Sequence, residues 1–465
     1  MPTTPSTSGS TSPPLRRSST RSWPRPGRPS TTGEPVVAEA RTTDVAIVGG
    51  GIVGLSIALS LAEAGVAVTV LDKGVPGKAA SSRNGGGVRQ QGRAFPELAL
   101  AQQAIEAWPT WAERLGGPTG YRRTGHLVVA ADAGELAALE ERSAAEAEHG
   151  LKTTIVDGAD VAAMAPGLAP GHVGGKLCET DGMALPAVVM QTMHAAAVRA
   201  GVEVRPYAEV TRLRVDRGTV TGVELADGTS LSAGTVVNAA GPWSSVVAAS
   251  AGVYLPVAPS RLHMFRTVPL DRTFAHVWVA RASMDLNACQ WEDGSILFGG
   301  ATRPDPTQWT FSHEPGPAFV EDARAKAAEV APMIAAATLA RRWTGVREFT
   351  PDMLPVIGRP REVGGLFTCT GFSGHGFALG PVIGDLVAGW IRTGERPPVL
   401  EPFAPDRFAV TGSPFNHPPA PWGGATTEVV PSRSPHAAPA GVDDGPFKQH
   451  SGVPSGFDLP TPLED

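Results

Sequence analysis

Cysteine is scarce in this chain of 465 residues, which contains only Cys178, Cys289 and Cys369, far apart in the sequence. Their odd number and wide spacing exclude a disulfide framework and a cysteine metal knuckle, and they are typical of a reducing cytoplasm. The chain also lacks an excess of basic residues, because its formal net charge is −6. No broad surface for nucleic acid is therefore expected. We predict a cytoplasmic protein without a metal centre.

Signals for a membrane or for secretion are also weak. The uncharged run Val45–Ala62 contains four glycines and has no flanking basic clusters. Its spacing therefore fits a strand, a turn and a helix better than a membrane span. Arg16 and Arg17 are not followed by the apolar core of a secretion signal. Residues 1–40 are predicted to be a disordered basic extension, and residues 402–465 a disordered proline-rich tail.

The chain is organised around Asp44–Lys73, which reads as an apolar strand, a glycine turn, an apolar helix, a second strand and an acid. Gly49, Gly51 and Gly54 have the G-x-G-x-x-G spacing, which allows a tight turn, approach of a pyrophosphate and close packing of helix on strand. Asp72 ends the second strand, where an acid can accept hydrogen bonds from an adenosine ribose. These features predict dinucleotide binding. The alternative is a βαβ unit whose glycines serve packing only.

A polar, glycine-rich loop, residues 74–93, follows the second strand. Its hydroxyl, guanidinium and backbone donors stand close in sequence to the glycine turn, and they suit a diphosphate. The donors are Ser81, Ser82, Arg83, Asn84 and the glycines at 85–87. A flexible surface loop is the alternative.

Two later segments return to a nucleotide-type sheet. Residues 235–244 (TVVNAAGPWS) read as a buried strand that ends near Gly241. Gly371–Gly376 lies between an apolar strand, Leu366–Thr370, and an apolar helix, Phe377–Trp390. We predict an α/β fold, in which a Rossmann-type nucleotide-binding domain carries an inserted α+β cap domain with an antiparallel sheet. The nucleotide-binding domain would comprise residues 41–93, 183–257 and 342–401, and the cap residues 94–182 and 258–341.

On these motifs the sequence resembles the D-amino-acid-oxidase superfamily of flavoenzymes, over about residues 44–392. The resemblance rests on the GGGIVG turn with Asp72, the SSRNGGG loop, VVNAAGPWS, and the pair TPDMLPVIG and GFSGHGFALGP. Within this superfamily the sequence is most similar to the branch of sarcosine oxidase β-subunit, glycine oxidase and opine oxidase. The resemblance implies bound FAD and oxidation of small amines or amino acids to imines, by hydride transfer to flavin N5.

FAD would extend across the sheet, with its adenosine end at the first glycine turn and its flavin at Gly371–Gly376. Free N–H groups and the dipole of the following helix would stabilise negative charge on the reduced flavin there. An ordinary glycine-rich turn is the alternative. The residues expected to contact FAD are Gly49, Gly51, Ile52, Val53, Gly54, Asp72, Lys73, Ser81, Ser82, Arg83, Asn84, Gly86, Val210, Ala240, Gly241, Trp243, Gly371, Gly374, His375 and Gly376.

Arg347 is the expected substrate residue. By resemblance to glycine oxidase, the arginine at this position of GVREFTPDMLPVIG clamps the substrate carboxylate, and a planar guanidinium suits that bidentate pair. A salt bridge to Glu348 or Asp352 is the alternative. His263 is the second catalytic candidate, because relatives place this strand over the flavin, where a histidine can keep an amine deprotonated or gate oxygen. A cap-strand histidine satisfied by its neighbours is the alternative.

Two departures from relatives bear on the cofactor. Some relatives attach the flavin through a cysteine near the Arg347 motif, but residues 346–358 contain no cysteine, so noncovalent FAD is expected. Some oxidases use a lysine near the flavin to activate oxygen, and residues 260–266 contain none. Oxygen and a protein or quinone electron acceptor therefore both stay open.

We predict an FAD-dependent oxidase or dehydrogenase that acts on the C–N bond of a small amine or amino acid. One alternative is an FAD-binding β-type subunit of a multi-subunit dehydrogenase, which would pass electrons to other subunits. Another is a flavin-bound scaffold or sensor without turnover. A third is an NAD-dependent dehydrogenase.

Overall fold

The structure, a computed structural model, describes residues 41–281, 283, 286–301 and 315–408, with only the backbone of residues 300 and 301. The extension expected at 1–40 and residues 409–465 of the expected tail lie outside the described residues. Among the helices of the described ranges, none is both long enough and apolar enough to cross a bilayer.

The described residues form strands and helices as follows. The strands are β1 (Arg41–Val48), β2 (Val68–Leu71), β3 (Gly87–Val88), β4 (His126–Ala130), β5 (Thr154–Asp157), β6 (Gly174–Cys178), β7 (Gly182–Met183), β8 (Glu203–Arg205), β9 (Val210–Asp216), β10 (Thr219–Leu225), β11 (Ser230–Asn238), β12 (Ala258–Thr267), β13 (Trp278–Arg281), β14 (Leu286–Gln290), β15 (Ile296–Ala301), β16 (Leu339–Phe349), β17 (Val356–Gly358) and β18 (Leu366–Thr370). The helices are α1 (Ile52–Glu63), α2 (Phe95–Leu115), α3 (Ala133–Glu148), α4 (Gly158–Met164), α5 (Pro186–Arg199), α6 (Ser244–Ala249), α7 (Pro317–Val330), α8 (Pro332–Ala336) and α9 (Gly376–Thr393).

The first sheet has the order β17-β18-β11-β1-β2-β8, with β10 and β9 attached beside β11. The neighbours from β18 to β8 are parallel, whereas β17, β10 and β9 pair antiparallel. Because side chains alternate along β1, Val45 and Ile47 face the helices, and Ala46 and Val48 face the other layer. Burial on both faces explains why this strand reads as a continuous apolar run.

The second sheet has the order β16-β12-β15-β14-β13-β4-β6-β5 and is antiparallel apart from the β13–β4 pair. Its segments come from two separate parts of the chain, as the prediction of a cap made from insertions requires. The two sheets confirm the predicted α/β class with a second, mainly antiparallel sheet. A small third sheet pairs β3 with β7.

Three segments lie differently from the predicted division of the chain. Helix α2 was assigned to the cap, but its apolar face packs with α1, α5 and α9, and Trp108 Nε1 donates to the carbonyl of Ala378 at 2.8 Å. Strand β16 continues the second sheet as far as Phe349, so the boundary expected at residue 342 falls inside this strand. Residues 402–408, expected to belong to the disordered tail, are ordered, because Phe403 is fully buried and Arg407 pairs with Asp352 at 2.7 Å.

Helices α1 and α9 approach closely across the first sheet's helical layer, and small residues make this possible. A Cβ added to Gly384 would lie 2.7 Å from the Cβ and the carbonyl oxygen of Ser56 on α1. Gly389, further along α9, has nothing within 4 Å of an added Cβ. The two glycines therefore differ in packing but share one helix.

We expect Gly384→Ala to lower the free energy of unfolding by about 1–3 kcal/mol, because the added methyl group forces α9 away from α1. Gly389→Ala is the matched control, and it should raise the free energy of unfolding by roughly 0.5–1 kcal/mol through helix propensity. Urea unfolding monitored by circular dichroism measures both. Equal effects of the two substitutions would contradict this account of the helix contact.

Candidate active site

The three glycine motifs of the sequence meet at one edge of the first sheet. They follow β1, β11 and β18, which are neighbouring parallel strands, and Val48 is in register with Asn238, which pairs with Thr368. The carboxyl ends of parallel strands form the ligand edge of such sheets. The structure thus brings together segments that are distant in the chain.

The first glycine turn is built by close backbone contacts. Gly49 has a φ of +107°, and a Cβ there would overlap the carbonyl oxygen of Ala239 at the end of β11. A Cβ on Gly54 would overlap the carbonyl oxygen of Gly49. At Gly51 the nearest atom to an added Cβ is Ser81 Oγ, at 3.2 Å. The first and third glycines thus serve packing, whereas the second leaves the backbone open to a ligand.

The N-terminus of α1 faces the polar loop. Ser81 Oγ accepts the N–H of Ile52 at 3.0 Å, and both Ile52 and Val53 are buried at the start of the helix. The first N–H groups of a helix and its dipole favour an anion. Within the part of the chain that the structure describes, the buried Ser82 Oγ has no hydrogen-bond partner. A diphosphate at this place would supply an acceptor for this hydroxyl.

Asp72 supports the turn from the end of β2. Its two carboxylate oxygens accept the N–H groups of Gly50 and Gly74, each at 2.8 Å. A carboxylate has further acceptor positions, so these bonds leave capacity for the expected ribose hydroxyls. Next to it, Lys73 Nζ lies 3.6 Å from the ring centre of Trp243.

The other residues expected near the adenosine end belong to β9 and to the segment that follows β11. Val210 and Ala240 pack against one apolar cluster with Val48 and Leu71, the last residues of β1 and β2. Gly241 begins the short 3₁₀ turn that carries Trp243. Val210 and Ala240 thus share an apolar cluster with the ends of β1 and β2, and their contact with a ligand stays a prediction.

The polar loop docks the second sheet onto the first. Arg83 donates from Nε to the carbonyl of Lys78 at 2.8 Å and from Nη1 to the carbonyl of Thr344 at 3.0 Å, and burial lowers its pKa. Trp343 Nε1 donates in turn to the carbonyl of Arg83 at 2.9 Å. Asn84 holds the loop itself, with Nδ2 donating to the carbonyl of Ser81 and Oδ1 accepting the N–H of Gly86, both at 2.8 Å.

Apolar side chains of the second sheet lie over this loop. Met264 Cε is 3.3 Å from the position of a Cβ on Gly85, and a Cβ on Gly87 would overlap the ring of Trp278. Met264 and Trp278 are both buried in one apolar cluster, against which Trp343 packs. This face of the second sheet therefore forms an apolar surface over Gly85 and Gly87, and we call its residues Met264, Trp278 and Trp343 the apolar roof.

Arg347 lies on the roof side of β16 and reaches the third glycine motif, Gly371–Gly376. Its Nη1 is 2.9 Å from the position of a Cβ on Gly374, and its guanidinium carbon is 4.6 Å from the ring centre of Phe349. The alternative partner Asp352 is engaged by Arg407 at 2.7 Å. Arg347 and the Gly371–Gly376 loop, singled out separately in the sequence, are thus in contact.

Glu348 turns away from Arg347 toward the ends of β11 and β18. Its Oε1 accepts the N–H of Phe372 at 3.3 Å, and its Oε2 is 3.7 Å from the position of a Cβ on Gly241. Burial raises the pKa of this carboxyl. Glu348 therefore connects the second and third glycine motifs.

His375 precedes α9 and pairs with a residue that the sequence did not single out. Its Nδ1 lies 2.8 Å from Oε2 of Glu97, a fully buried residue of α2. Burial, assisted by the charge of Arg93, lowers the pKa of His375 to about 4. The sequence contains a sign that Glu97 is buried, because it lies at helical spacing from Ala101, Ala104 and Trp108 on the buried face of α2.

His263 lies on the other face of the second sheet. In the register of β12 and β16, Met264 is opposite Trp343, whereas His263 is opposite Thr344. His263 Nδ1 lies 2.9 Å from Thr344 Oγ1, and its ring centre is 4.0 Å from that of Phe319 on α7. Because side chains alternate along a strand, His263 points away from the face that carries Arg347. This placement corrects the expectation that His263 faces the flavin.

The described residues fit an extended dinucleotide with a flavin. One end offers a glycine turn and a helix N-terminus, the middle a buried hydroxyl without a partner, and the far end a glycine loop beside a guanidinium. The three cysteines are free and buried, and burial raises the pKa of the Cys178 and Cys289 thiols to about 12. Such thiols stay protonated and unreactive, and noncovalent binding of FAD stays a prediction.

Comparisons with known proteins agree with this geometry. The sequence model of the DAO family, described as FAD dependent oxidoreductase, matches residues 44–390. The glycine oxidase of Geobacillus kaustophilus is 30% identical over 78% of this chain and 96% of that enzyme. One polypeptide of the opine oxidase of Rhizobium meliloti is 28% identical over 78% of this chain and 97% of that polypeptide. The crystal structure of L-proline dehydrogenase from P. horikoshii superposes with a TM-score of 0.74 at 27% identity, covering 80% of this chain and 98% of that one.

The placement of His263 predicts a pH dependence of stability. Burial and the charge of Arg261 lower its pKa to about 4, so folding favours the neutral ring. The unfolded chain takes up this proton near pH 6.5, and the folded chain only near pH 4. The neutral His263 ring therefore makes its full contribution to the free energy of unfolding above pH 6.5. That free energy falls as the pH decreases from 6.5 to 4, by at most about 1.4 kcal/mol per pH unit.

We expect His263→Asn to make the free energy of unfolding depend less steeply on pH between 6.5 and 4. Urea unfolding at a series of pH values measures this slope. Amine-dependent flavin reduction by the folded variant should stay within a few-fold of the parent, because His263 points away from the glycine loops. A catalytic His263 would instead reveal itself by a large loss of flavin reduction.

Proposed function

The chain belongs to the DAO family of FAD-dependent oxidoreductases, and we propose that it oxidises the C–N bond of a small amino acid or carboxylate-bearing amine to an imine. The observation that carries the proposal is the contact between Arg347 and Gly374, which puts a guanidinium against the third glycine motif, Gly371–Gly376. The names of similar proteins, such as glycine oxidase and L-proline dehydrogenase, support the substrate class. When bound, FAD accepts a hydride from the α-carbon of the amine.

The chain's residues divide the binding of FAD between two ends. The first glycine turn, the N-terminus of α1 and Ser81 would hold the diphosphate, and Asp72 with Lys73 and Trp243 would hold the adenosine side. The loop Gly371–Gly376 and the start of α9 would hold the flavin. The family match favours this cofactor over the alternative of NAD.

Arg347 would fix the substrate through its carboxylate. The guanidinium offers two parallel N–H donors, and its stacking on Phe349 restricts its orientation. A carboxylate held at this point places the neighbouring α-carbon close to the glycine loop, and such positioning supplies much of the rate enhancement in reactions of this kind.

The apolar roof would act on the amine. Met264, Trp278 and Trp343 present little polar surface above the loop, so they would exclude water from the substrate. A charged ammonium group is disfavoured in such surroundings, and its pKa falls. The amine would thus bind in the neutral form that can release a hydride, without a dedicated general base.

We expect Arg347→Ala to lower kcat/KM for a carboxylate-bearing amine by roughly 100-fold, because two charge-assisted hydrogen bonds together contribute about 3 kcal/mol. Anaerobic flavin reduction, screened across glycine, sarcosine, proline, D-amino acids and opines, identifies the substrate and measures this loss. Arg341→Ala is the control, since Arg341 is an exposed arginine of the same strand. Unchanged turnover in Arg347→Ala would refute the role given to Arg347, and absence of flavin reduction by every amine would refute the proposed reaction.

A second candidate function is that of a β-type subunit that passes electrons to a partner, and the side chains of β12 favour it. Strand β12, which contributes Met264 to the roof, contains no lysine. Arg261 lies on the same face of the strand as His263, because side chains alternate along a strand. Arg266 donates from Nε to Ser295 Oγ at 2.7 Å and from Nη2 to Asp293 Oδ2 at 2.6 Å. This strand therefore places no lysine beside the loop to promote the reaction of oxygen. The similarity to one polypeptide of a multi-subunit opine oxidase supports the same interpretation.

We expect the substrate-reduced holoprotein to be reoxidised slowly by air and rapidly by an artificial quinone or dye. Stopped-flow absorbance after mixing with air-saturated buffer or with the dye compares the two rates directly. Fast reoxidation by air with stoichiometric peroxide would show an oxidase and exclude the electron-transferring function.

We propose the cytoplasm as the location of the protein, because all three thiols are free, as is typical of a reducing compartment.

A further inference from the structure

Glu97 of α2 and His375, the residue before α9, form a pair at the third glycine motif. His375 Nδ1 lies 2.8 Å from Oε2 and 3.1 Å from Oε1 of Glu97, so both carboxylate oxygens face one ring nitrogen. The Glu97 side chain is completely buried, whereas 18% of the His375 side chain remains accessible. Nδ1 therefore faces the buried carboxylate, and Nε2 is the other ring nitrogen that can meet a ligand.

The neighbours of Glu97 keep it ionised. Burial alone would raise its pKa, but the interaction with His375, which includes a hydrogen bond, and the positive charge of Arg93 outweigh burial, and the pKa is lowered. Arg93, which is 2% exposed, has Nη1 at 4.0 Å from Glu97 Oε2. The carboxylate can therefore only accept a hydrogen bond, and the ring nitrogen that faces it must donate.

We propose that Glu97 is a positioning residue that holds His375 as its neutral Nδ1–H tautomer and thereby presents Nε2 as a hydrogen-bond acceptor at the start of α9. The hydrogen bond made by one ring nitrogen decides which nitrogen carries the proton. With Nδ1–H committed to Glu97, Nε2 has a lone pair and no proton. His375 is followed by Gly376 and preceded by Gly374, the glycine that contacts Arg347.

An acceptor at this point selects an N–H donor as its ligand. Two donors of this chemistry would come to the loop under the proposed function: the imide N–H of the flavin ring and the amine N–H of the substrate. This consequence rests on the proposed function, whereas the tautomer of His375 is a property of the protein alone. Glu97 would then orient a ligand without touching it.

Nitrogen-15 NMR of histidine-labelled protein tests the tautomer directly. In the parent protein near neutral pH, His375 should show a protonated Nδ1 and an unprotonated Nε2, with the signals assigned by their loss in His375→Asn. Glu97→Leu, which places an apolar side chain on the buried stripe of α2, should lose this pattern in favour of a protonated Nε2. Glu106→Leu is the matched control, because Glu106 is an exposed glutamate of the same helix, and its spectrum should equal that of the parent.

The parent spectrum decides the proposal even if Glu97→Leu does not fold. A protonated Nε2 in the parent protein, or an unchanged His375 pattern in folded Glu97→Leu, would overturn it. A shift of the Nε2 signal on adding FAD alone identifies the cofactor as the donor, and a shift only on adding an amino acid to the holoprotein identifies the substrate. No shift in either titration would refute the acceptor role.

A kinetic comparison supplies a separate outcome. Flavin reduction should be roughly tenfold or more slower in Glu97→Leu than in Glu106→Leu, because small errors in ligand orientation are costly in such reactions. Equal rates would refute positioning by Glu97. Failure of every amine to reduce the flavin would refute the proposed function and leave the NMR test of the tautomer intact.

Discussion

The contact of β1, α1 and β11 at the first glycine turn is the constraint on which the rest of the structure depends. Side chains at Gly49 or Gly54 would overlap backbone carbonyls of Ala239 or of Gly49 itself, so these elements meet only because both residues are glycine. This contact brings the end of β11 next to the end of β1, and β18 then adds its own glycine loop on the far side of β11. One ligand edge results from three distant segments.

The second sheet completes the site through the direction of its side chains. Arg347, Trp343 and Met264 lie on the face of the second sheet toward the glycine loops. His263 lies on the opposite face, where it packs against Phe319 of α7. A shift of one residue in the register of β12 or β16 would exchange these faces. Hydrogen bonds between Arg83 and residues 343–344 hold this face at the loop. Chemistry at the site therefore depends on strand register as much as on residue type.

A group of buried charges links the helices to the second sheet. Glu146 of α3 is fully buried and accepts the N–H of Gly92 at 2.7 Å, the Nε of Arg142 at 2.9 Å and the Nζ of the buried Lys176. Burying such charges is costly unless each is paired, and the loss of one partner typically costs about 3–5 kcal/mol. Glu97 and Arg93 continue the same pattern on α2. These pairs fix α2 and α3 beside the polar loop. Glu97, which is held in place on α2, in turn orients the ring of His375 through their hydrogen bond.

The sequence by itself determined the βαβ unit and the α/β class, because spacing of glycines and apolar runs is a local property. Its resemblance to a known family indicated the FAD cofactor, which the family match confirms. The sequence also determined the strand Leu366–Thr370 and the helix that follows it, since their apolar patterns are local as well. Only the tertiary structure decided that α2 packs with α1 and α9, that β16 belongs to the second sheet up to Phe349, and that His263 points away from Arg347. It also revealed Glu97 as the partner of His375, 278 residues away. Such pairings depend on contacts between distant segments and on strand register, which a single sequence does not encode in any local pattern.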